Sequence, residues 1–357
     1  MTVLALDIGG TKFAAAHVSA DGALLRRAER PIGPSPTATL RDLVTDFRLP
    51  GLSAVGIGSA GPLDVLAGTV SPINIPAWRG FPLAETVRDL VPGAEVVMAG
   101  DGQCMALGEW WRGGHGADSL LGIVVSTGVG GGLILDGRPV LGGTGNAGHV
   151  GHVIVDRDGE PCSCGTQGCL ETFASGPSMV RWARANGWIP GTFPTARQAP
   201  ASTAGQGPVS TAGQGPASGA GQGPVSTAGQ GPASGAGRSS VSEVDRAAMT
   251  AKELADDARA GAAIPRAAFE RAADALATVI LNTAAVVDLH DVVIGGGVAA
   301  AGHLLTDPLR DRLGKRAGMD FVRHVKIRLT TLERDAGLYG AAALALLAGG
   351  TALRPTG

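Results

Sequence analysis

The chain has 357 residues, which is long enough for two domains with separate hydrophobic cores. Its formal net charge of −2 provides no overall positive charge with which to bind nucleic acid or an anionic membrane. The start, "MTVLALDIGG", lacks the features of a signal peptide, and the apolar runs are shorter than the roughly 18 residues that span a bilayer. We therefore expect a cytoplasmic protein, in which clustered cysteines indicate a metal site more than disulfides.

Strands and helices alternate along the first hundred residues. Residues 3–7 predict a buried strand, and the segment that follows predicts two further strands joined by a turn at Asp21-Gly22. "ATLRDLVTDF" and "PLAETVRDLV" predict helices. "SAVGIGSAG" and "AEVVMAGD" predict strands, the second of which ends at Asp101.

The alternation continues beyond Asp101. "GQCMALGEWW" predicts a helix, and "SLLGIVVSTGVGGGLILDGRPVLG" predicts a strand, a glycine loop and a hairpin. The segments "SEVDRAAMTAKELADDARA", opened by a cap at 240–242, and "PRAAFERAADALATVILNTAAVVD" predict helices, and "DVVIGGGVAAAG" predicts a buried strand with a glycine turn. This order of elements predicts the α/β fold class.

Residues 202–237 differ in composition from the rest of the chain. They repeat with a period of eight residues, as in "STAGQGPV" and "STAGQGPA", and hold almost no charged, aromatic or bulky aliphatic side chains. Such a tract cannot bury enough apolar surface to offset the entropy lost on ordering, and its period is too short for a helical repeat. We expect a disordered insertion over about 200–240, inside one folded domain.

Three of the four cysteines follow a histidine in one short polar segment. His152, Cys162, Cys164 and Cys169 have the spacing H-x9-C-x-C-x4-C. Three thiolates and one imidazole suit a closed tetrahedral Zn²⁺ site with a structural role. The alternatives are reduced cysteines without a metal and a zinc ribbon that binds nucleic acid, which the few basic residues nearby disfavour.

Glycine-rich turns follow three of the predicted strands. Glycines allow backbone N–H groups to approach a phosphate, although neither the P-loop spacing nor G-x-G-x-x-G is present. Each turn alone fits a plain strand–turn equally well, but the three together predict a nucleotide held between two related domains. The nucleotide-binding candidates are Asp7, Gly9, Gly10, Thr11, Lys12, Thr127, Gly128, Val129, Gly130, Gly131, Gly132, Gly296 and Gly297.

Asp101 lies between two glycines at the predicted end of the fourth strand. Open α/β sheets bind ligands at the carboxyl ends of their strands, and a carboxylate there can take a hydroxyl proton during phosphoryl transfer. The same side chain could instead cap the helix that follows. The residues alone do not decide between a catalytic base and a helix cap.

Six segments, in this order, resemble the ROK family of sugar kinases and sugar-responsive repressors: "DIGGTK", "GIGSAGPLD", "STGVGGG", "GHVGHVIVDRDGEPCSCGTQGCLETFASG", "VIGGGV" and "DAGLYGAA". The resemblance covers nearly the whole chain except about 187–240. It implies an actin-like, ATP-binding hexokinase fold with two α/β domains around a cleft. Residues 1–112, with a C-terminal helix over about 336–350, would form a small domain, and residues 113–335 a large domain with the zinc site.

The resemblance also implies roles for residues that contact the sugar. Asp101 matches the catalytic base for the sugar 6-hydroxyl. His152 matches a histidine that binds zinc and contacts the sugar, and Glu171 matches a ligand of sugar hydroxyls. The expected substrate-binding residues are Gly61, Asn74, His149, His152 and Glu171.

For the nucleotide, the resemblance implies that residues 5–12 and 129–136 contact the phosphates. Asp7 would help to hold the Mg²⁺ that accompanies ATP. The implied partners are ATP and a hexose or acetamido-hexose, with no nucleic acid and no membrane. We also expect a homo-oligomer, either a dimer or a tetramer.

Two positions depart from the family pattern. The family's Asn before the catalytic Asp is Gly100 here, which removes one ligand of a sugar hydroxyl. Glucokinase-like members have Glu where this chain has His149, and "AGHVGH" is similar to bacterial N-acetylmannosamine kinases. A neutral His offers one donor and one acceptor, whereas an ionised Glu only accepts. We therefore predict phosphorylation of an acetamido-hexose, N-acetylmannosamine before N-acetylglucosamine, with glucose as the alternative.

Two other classes of function stay open at this point. Repressors of the family carry a helix-turn-helix before the first phosphate segment, and the strand that starts at Val3 leaves no room for one. A catalytically weak sugar-binding or scaffold protein is compatible with the loss of a sugar ligand at Gly100. An ATP-dependent sugar kinase is the function that the sequence favours.

Overall fold

The computed structural model describes residues 1–191 and 243–356. The predicted insertion over 200–240, its repeats at 202–237 and the predicted helix cap at 240–242 lie outside the described residues. Within the two described ranges, no helix combines the length and the apolar character needed to cross a membrane.

The first part of the chain forms a five-stranded sheet. Its elements are β1 Thr2–Ile8, β2 Lys12–Ser19, β3 Leu24–Pro31, α1 Pro36–Asp46, β4 Ala54–Ser59, β5 Leu63–Asp64, β6 Thr69–Val70, α2 Leu83–Leu90 and β7 Glu95–Gly100. The strand order is β3-β2-β1-β4-β7, with β1 to β3 antiparallel and β4 and β7 parallel to β1. β5 and β6 form a separate short hairpin.

The rest of the chain forms a second sheet with the same pattern. Its elements are α3 Asp101–Arg112, β8 Leu120–Val125, β9 Val129–Leu135, β10 Arg138–Val140, α4 Glu171–Ala174, α5 Gly176–Ala185, α6 Glu243–Arg259, α7 Ala263–Val287, β11 Asp291–Gly295, α8 His303–Arg316, α9 Asp320–Arg323, β12 Lys326–Leu329 and α10 Ala336–Ala348. The strand order is β10-β9-β8-β11-β12, again three antiparallel strands followed by two parallel ones.

Both faces of the first sheet are buried, which explains why β1 is almost entirely apolar. Alternate residues of β1 point to opposite faces of the sheet. Leu4 and Leu6 belong to the core that includes the buried residues of α1 and α2, whereas Val3 and Ala5 belong to the core that includes α3 and α10.

The C-terminal helix returns to the first sheet. α10, expected over about 336–350, packs on β1 and β4 and lies against α3. A Cβ atom on Gly340 would overlap the carbonyl oxygen of Cys104, and one on Gly108 would overlap the carbonyl oxygen of Ala336. Glycine at these two positions therefore allows α3 and α10 to approach closely enough to join the two halves of the fold.

The helices on either side of the undescribed residues share one core. Met179 of α5 and Leu254 of α6 pack in the same cluster as Phe269 of α7. The segment between α5 and α6 thus interrupts one core and does not separate two.

Several local predictions were wrong or incomplete. The hairpin of β5 and β6, the helices α8 and α9, and β12 had not been predicted. Asp101 does not end a strand, because β7 ends at Gly100 and Asp101 begins α3. Gly130, Gly131 and Gly132 do not form a loop, since they lie in β9 and pair with residues 122–124 of β8. A Cβ atom on Gly132 would overlap Cα of Gln103, so glycine at this position allows α3 to lie directly on β9.

Candidate active site

Asp101 lies where the parallel strands of the first sheet end. Gly100 is the N-cap residue of α3, and Asp101 is the first residue of the helix. Its Oδ1 accepts a hydrogen bond from the N–H of Gly102 at 2.7 Å. The carboxylate is open to the cleft but otherwise enclosed by protein, and this loss of water raises its pKa, which the Gly102 N–H and nearby His149 partly offset. A carboxylate with a raised pKa at this position is suited to accept a proton.

Asp7 lies near the end of β1, close to Asp101. Burial, followed by the negative charge of Asp101, raises the pKa of Asp7 to about 7, although Lys12 and Arg27 act in the opposite direction. A Cβ atom on Gly337 would lie 3.0 Å from Oδ2 of Asp7, so the start of α10 abuts this carboxylate. The two carboxylates thus bring negative charges together, which a divalent cation would neutralise.

The first glycine turn forms the hairpin between β1 and β2. The N–H of Gly9 donates to the carbonyl oxygen of Lys12 at 3.2 Å. The Lys12 ammonium does not extend freely, because it pairs with Glu29 at 3.0 Å. A Cβ atom on Gly10 would lie 2.7 Å from Nδ2 of Asn74, so this predicted sugar ligand lies against the turn. Thr11 is exposed at the tip of the turn.

The second glycine turn, residues 126–128, is held by Glu171. Oε2 of Glu171 accepts a hydrogen bond from the N–H of Val129 at 2.9 Å, and a Cβ atom on Gly128 would lie 2.8 Å from the same oxygen. Thr127 is exposed at the tip of this turn. Glu171, predicted as a sugar ligand, thus uses one carboxylate oxygen to fix the turn and keeps the other for a ligand.

His149 lies against Gly61. Its Nδ1 lies 2.9 Å from the carbonyl oxygen of Asn146, and a Cβ atom on Gly61 would lie 3.4 Å from its Nε2. Because a carbonyl can only accept, the neutral ring carries its proton on Nδ1 and presents an acceptor at Nε2. In this orientation the neutral ring donates to the protein and leaves its acceptor atom for a ligand. The His152 ring lies beside it, with the ring centroids 6.4 Å apart.

The four predicted zinc ligands come together. One ligand atom from each of His152, Cys162, Cys164 and Cys169 lies within 4.8 Å of all the others. Nδ1 of His152 lies 3.6 Å from Sγ of Cys162, and the sulfurs of Cys164 and Cys169 are also 3.6 Å apart. Tetrahedral zinc with ordinary bond lengths separates nitrogen from sulfur by about 3.5 Å and sulfur from sulfur by about 3.8 Å. The geometry fits such an ion.

The pKa values of two of these thiols differ because their surroundings differ. The hydroxyl and backbone N–H of Thr166 lower the pKa of Cys164 to about 6. Burial raises the pKa of Cys169 to about 11. Since a metal ligand must be a thiolate, binding of a cation would release protons from this cluster. Cys104, the fourth cysteine, is buried in α3 outside the cluster.

A cavity of about 290 Å³ opens beside the turn at 126–128. Thr127 and Gly297, both predicted to bind nucleotide, line it, and Gly296 adjoins the carbonyl oxygen of Val125. Met179 of α5 and Ala255 of α6 supply apolar walls. Sequence reasoning missed the residues from α5 and α6, because their helical spacing is indistinguishable from that of ordinary core positions.

Comparisons with known proteins agree with this arrangement. The family model described as ROK family matches residues 3–347. The glucokinase of Thermotoga maritima is 29% identical over 353 residues, which are 96% of this chain and 97% of that protein. The N-acetylmannosamine kinase of Yersinia pseudotuberculosis is 38% identical over 193 residues, which are 52% of this chain and 64% of that protein. The crystal structure of a ROK family glucokinase from Streptomyces griseus, in complex with glucose and AMPPNP, matches with a TM-score of 0.69 and 28% identity, over 97% of this chain and 100% of that chain.

Proposed function

This chain belongs to the ROK family, and on that premise we propose that it transfers the γ-phosphoryl group of ATP to the 6-hydroxyl of a hexose. It has the actin-like ATPase fold of these proteins and is an ATP-dependent sugar kinase. The observation that carries the reaction assigned here is the position of Asp101. This carboxylate lies at the strand ends of the first sheet, beside Asp7.

Asp101 is the proposed general base. The N–H of Gly102 holds Oδ1, which leaves Oδ2 to accept the proton of the attacking hydroxyl. Positioning and electrostatics supply most of the catalysis in phosphoryl transfer, and a general base adds typically about 10²–10⁴-fold. Because the base must be ionised, turnover falls as the pH drops through its raised pKa.

The nucleotide is proposed to lie with its base in the cavity beside residues 126–128 and its phosphates towards the two glycine turns. The walls from α5 and α6 are apolar and suit a flat aromatic base. Asp7 would hold Mg²⁺, which when bound neutralises the charge of the transferred group. With a pKa near 7, Asp7 is only partly ionised at neutral pH, and a bound cation would favour its ionised form.

The cysteine cluster is proposed to hold a structural Zn²⁺. All four ligands come from protein, which leaves no open position for a substrate. His152 would bind the ion through Nδ1, since this atom faces Cys162. The ring would thereby be fixed with Nε2 free to contact the sugar.

We infer that the preferred substrate is an acetamido-hexose such as N-acetylmannosamine. An acetamido group carries one N–H donor, and Nε2 of His149 offers one acceptor on a flat ring. A glutamate would offer two acceptor oxygens, which suit a pair of hydroxyls better. Glucose is the second candidate, favoured by the full-length similarity to the Thermotoga maritima glucokinase.

The ratio of kcat/KM for N-acetylmannosamine and glucose, in the wild type and in His149→Glu, tests this assignment. We expect the wild type to favour the acetamido sugar and His149→Glu to shift towards glucose. His149→Gln, which keeps a neutral side chain that can both donate and accept, is the matched control for loss of the ring. A wild type that prefers glucose, together with an unchanged ratio in His149→Glu, would refute the acetamido-hexose assignment and identify the protein as a glucokinase.

We also propose residues 1–112 with 336–350 and residues 113–335 as the two domains that close around the cleft. The support is that each range contains one five-stranded sheet, and that α10 packs on the first of these.

A further inference from the structure

Asn146 joins two segments that are distant in the chain, a loop that follows the second sheet's β10 and the separate β5–β6 hairpin. It lies in the loop after β10, whereas Leu63 begins the short hairpin after β4. Oδ1 of Asn146 accepts from the N–H of Leu63 at 3.2 Å, and Nδ2 donates to the carbonyl oxygen of Leu63 at 2.7 Å. The side-chain amide thus pairs with both backbone groups of one residue, as a neighbouring strand would. This double contact also fixes which end of the amide is oxygen.

The same loop touches the hairpin at a second point. The side chain of Val65 packs so closely on Gly145 that a Cβ atom there would overlap it, and Gly145 has a φ of +87°. The N–H of Val65 approaches the carbonyl oxygen of Thr144 at 3.5 Å. The bridge from Asn146 therefore has an apolar contact beside it.

The other end of the same residue holds His149. The carbonyl oxygen of Asn146 accepts from Nδ1 of His149 at 2.9 Å, which directs Nε2 towards Gly61. Gln103 fixes the loop from below, since its Nε2 donates to the carbonyl oxygen of Ala147 at 2.7 Å. Asn146 is thus connected to the hairpin by its side chain and to a residue of the proposed sugar site by its backbone.

We propose that Asn146 is a positioning residue that latches the loop 141–149 onto the β5–β6 hairpin and so keeps the sugar cleft closed with His149 in place. The proposal rests on the sugar kinase activity assigned above. No role in the chemical step is assigned to Asn146, because its side-chain amide is occupied by Leu63 and Thr144. The latch increases the fraction of molecules whose cleft can bind sugar, and it does not change the rate of the chemical step.

Loss of the latch has a distinctive kinetic signature. If sugar binds the closed form, its apparent affinity falls in proportion to the population of that form. Two hydrogen bonds of ordinary net strength correspond to a factor of about 5 to 150. We expect Asn146→Ala to raise the KM for sugar within this range, while kcat at saturating sugar and the KM for ATP change less than about 3-fold. Damage to the fold or to the base would lower kcat instead.

Three variants make the test specific. Asn146→Ala removes the side-chain bridge and keeps the backbone carbonyl that holds His149. Asn146→Asp keeps the size but places a second acceptor opposite the Leu63 carbonyl, so we expect at least as large an effect. Thr144→Val is the matched control, because it removes only the local bond between Asn146 and the Thr144 hydroxyl and leaves the bridge to Leu63.

Hydrogen exchange of the Leu63 amide tests the latch without any kinase assay. We expect slow exchange in the full-length wild type and in Thr144→Val, and at least about 10-fold faster exchange in Asn146→Ala and Asn146→Asp. Melting temperatures within a few degrees of the wild type would establish that the fold is intact.

The two readouts separate the possible failures. Unchanged Leu63 exchange in both Asn146 variants would overturn the latch itself. Faster exchange with an unchanged sugar KM would overturn its role in sugar binding. A wild type that phosphorylates none of the sugars tested would refute the proposed function, whereas the exchange experiment would still decide whether the latch exists.

Discussion

Replacement of Gly100 by Asn is predicted to strengthen sugar binding. The family pattern has Asn at this position, and its amide would reach a sugar hydroxyl. The backbone of Gly100, with φ −65° and ψ 149°, is one that any residue adopts. A Cβ atom there would meet Gln103 Oε1 at 3.4 Å, which is ordinary van der Waals contact. Gly100→Asn should therefore be accommodated without distortion of the turn that carries Asp101.

The expected magnitude follows from two terms. Replacing the N-cap glycine of α3 by Asn changes helix stability by only a few tenths of a kcal/mol, in the stabilising direction. One restored hydrogen bond to the sugar contributes about 0.5–1.5 kcal/mol net. This corresponds to a roughly 2- to 12-fold lower KM for the sugar. The melting temperature should stay within a few degrees of the wild type.

A coupled assay of ADP release, run over a range of sugar concentrations at saturating ATP, measures the effect. Gly100→Ala is the control, because it adds the Cβ atom without the amide and should leave the KM for sugar unchanged. The reasoning is refuted if Gly100→Asn is folded but binds sugar no better than Gly100→Ala. It is also refuted if both variants lose stability by several degrees, since the position would then require glycine.

The remaining predictions concern the proposed zinc site, the carboxylate of Asp7 and the nucleotide. Elemental analysis should find one zinc per chain in the wild type and in Cys104→Ala, and little in Cys164→Ser, because Cys164 belongs to the cluster and Cys104 does not. An active wild type without zinc would contradict this prediction. Asp7 has a raised pKa, so its contribution to the stability of the ligand-free protein is fully present below pH 3.8 and is lost as the pH rises through about 7. Asp7→Asn should remove this loss, which urea titrations at pH 4 and pH 8 measure as a change in the free energy of unfolding. The loss amounts to at most roughly 4 kcal/mol before screening by water. Ala300→Trp, at an exposed edge of the nucleotide cavity, should raise the KM for ATP about 10-fold and spare the KM for sugar; equal rises in both would argue against the cavity as the base site.

The features that the sequence predicted well are those encoded by neighbouring residues. The proposed zinc ligands Cys162, Cys164 and Cys169 lie within one short loop, so their spacing alone limits where the sulfurs can go. The strands and helices of the first sheet likewise follow from local periodicity. The ordered family segments then predicted the fold and the class of enzyme, which the comparisons confirm.

The features that the sequence could not predict depend on contacts between distant segments. The glycines at 130–132 had the pattern of a phosphate loop, but they lie in β9, where the lack of a side chain at Gly132 allows the close approach of α3. His149 could present a donor or an acceptor until its contact with the Asn146 carbonyl was located. The bridge from Asn146 to Leu63 joins residues 83 positions apart, and no local sequence pattern predicts it.

The central claim, that Asp101 is the base for transfer to a sugar hydroxyl, is tested most directly by Asp101→Asn. Sugar affinity, measured calorimetrically, and turnover at saturating sugar and ATP are compared with those of the wild type. We predict sugar binding within a few-fold of the wild type and turnover reduced by about 10²–10⁴-fold. Turnover above a tenth of the wild-type value, in a variant that still binds sugar, would contradict the account.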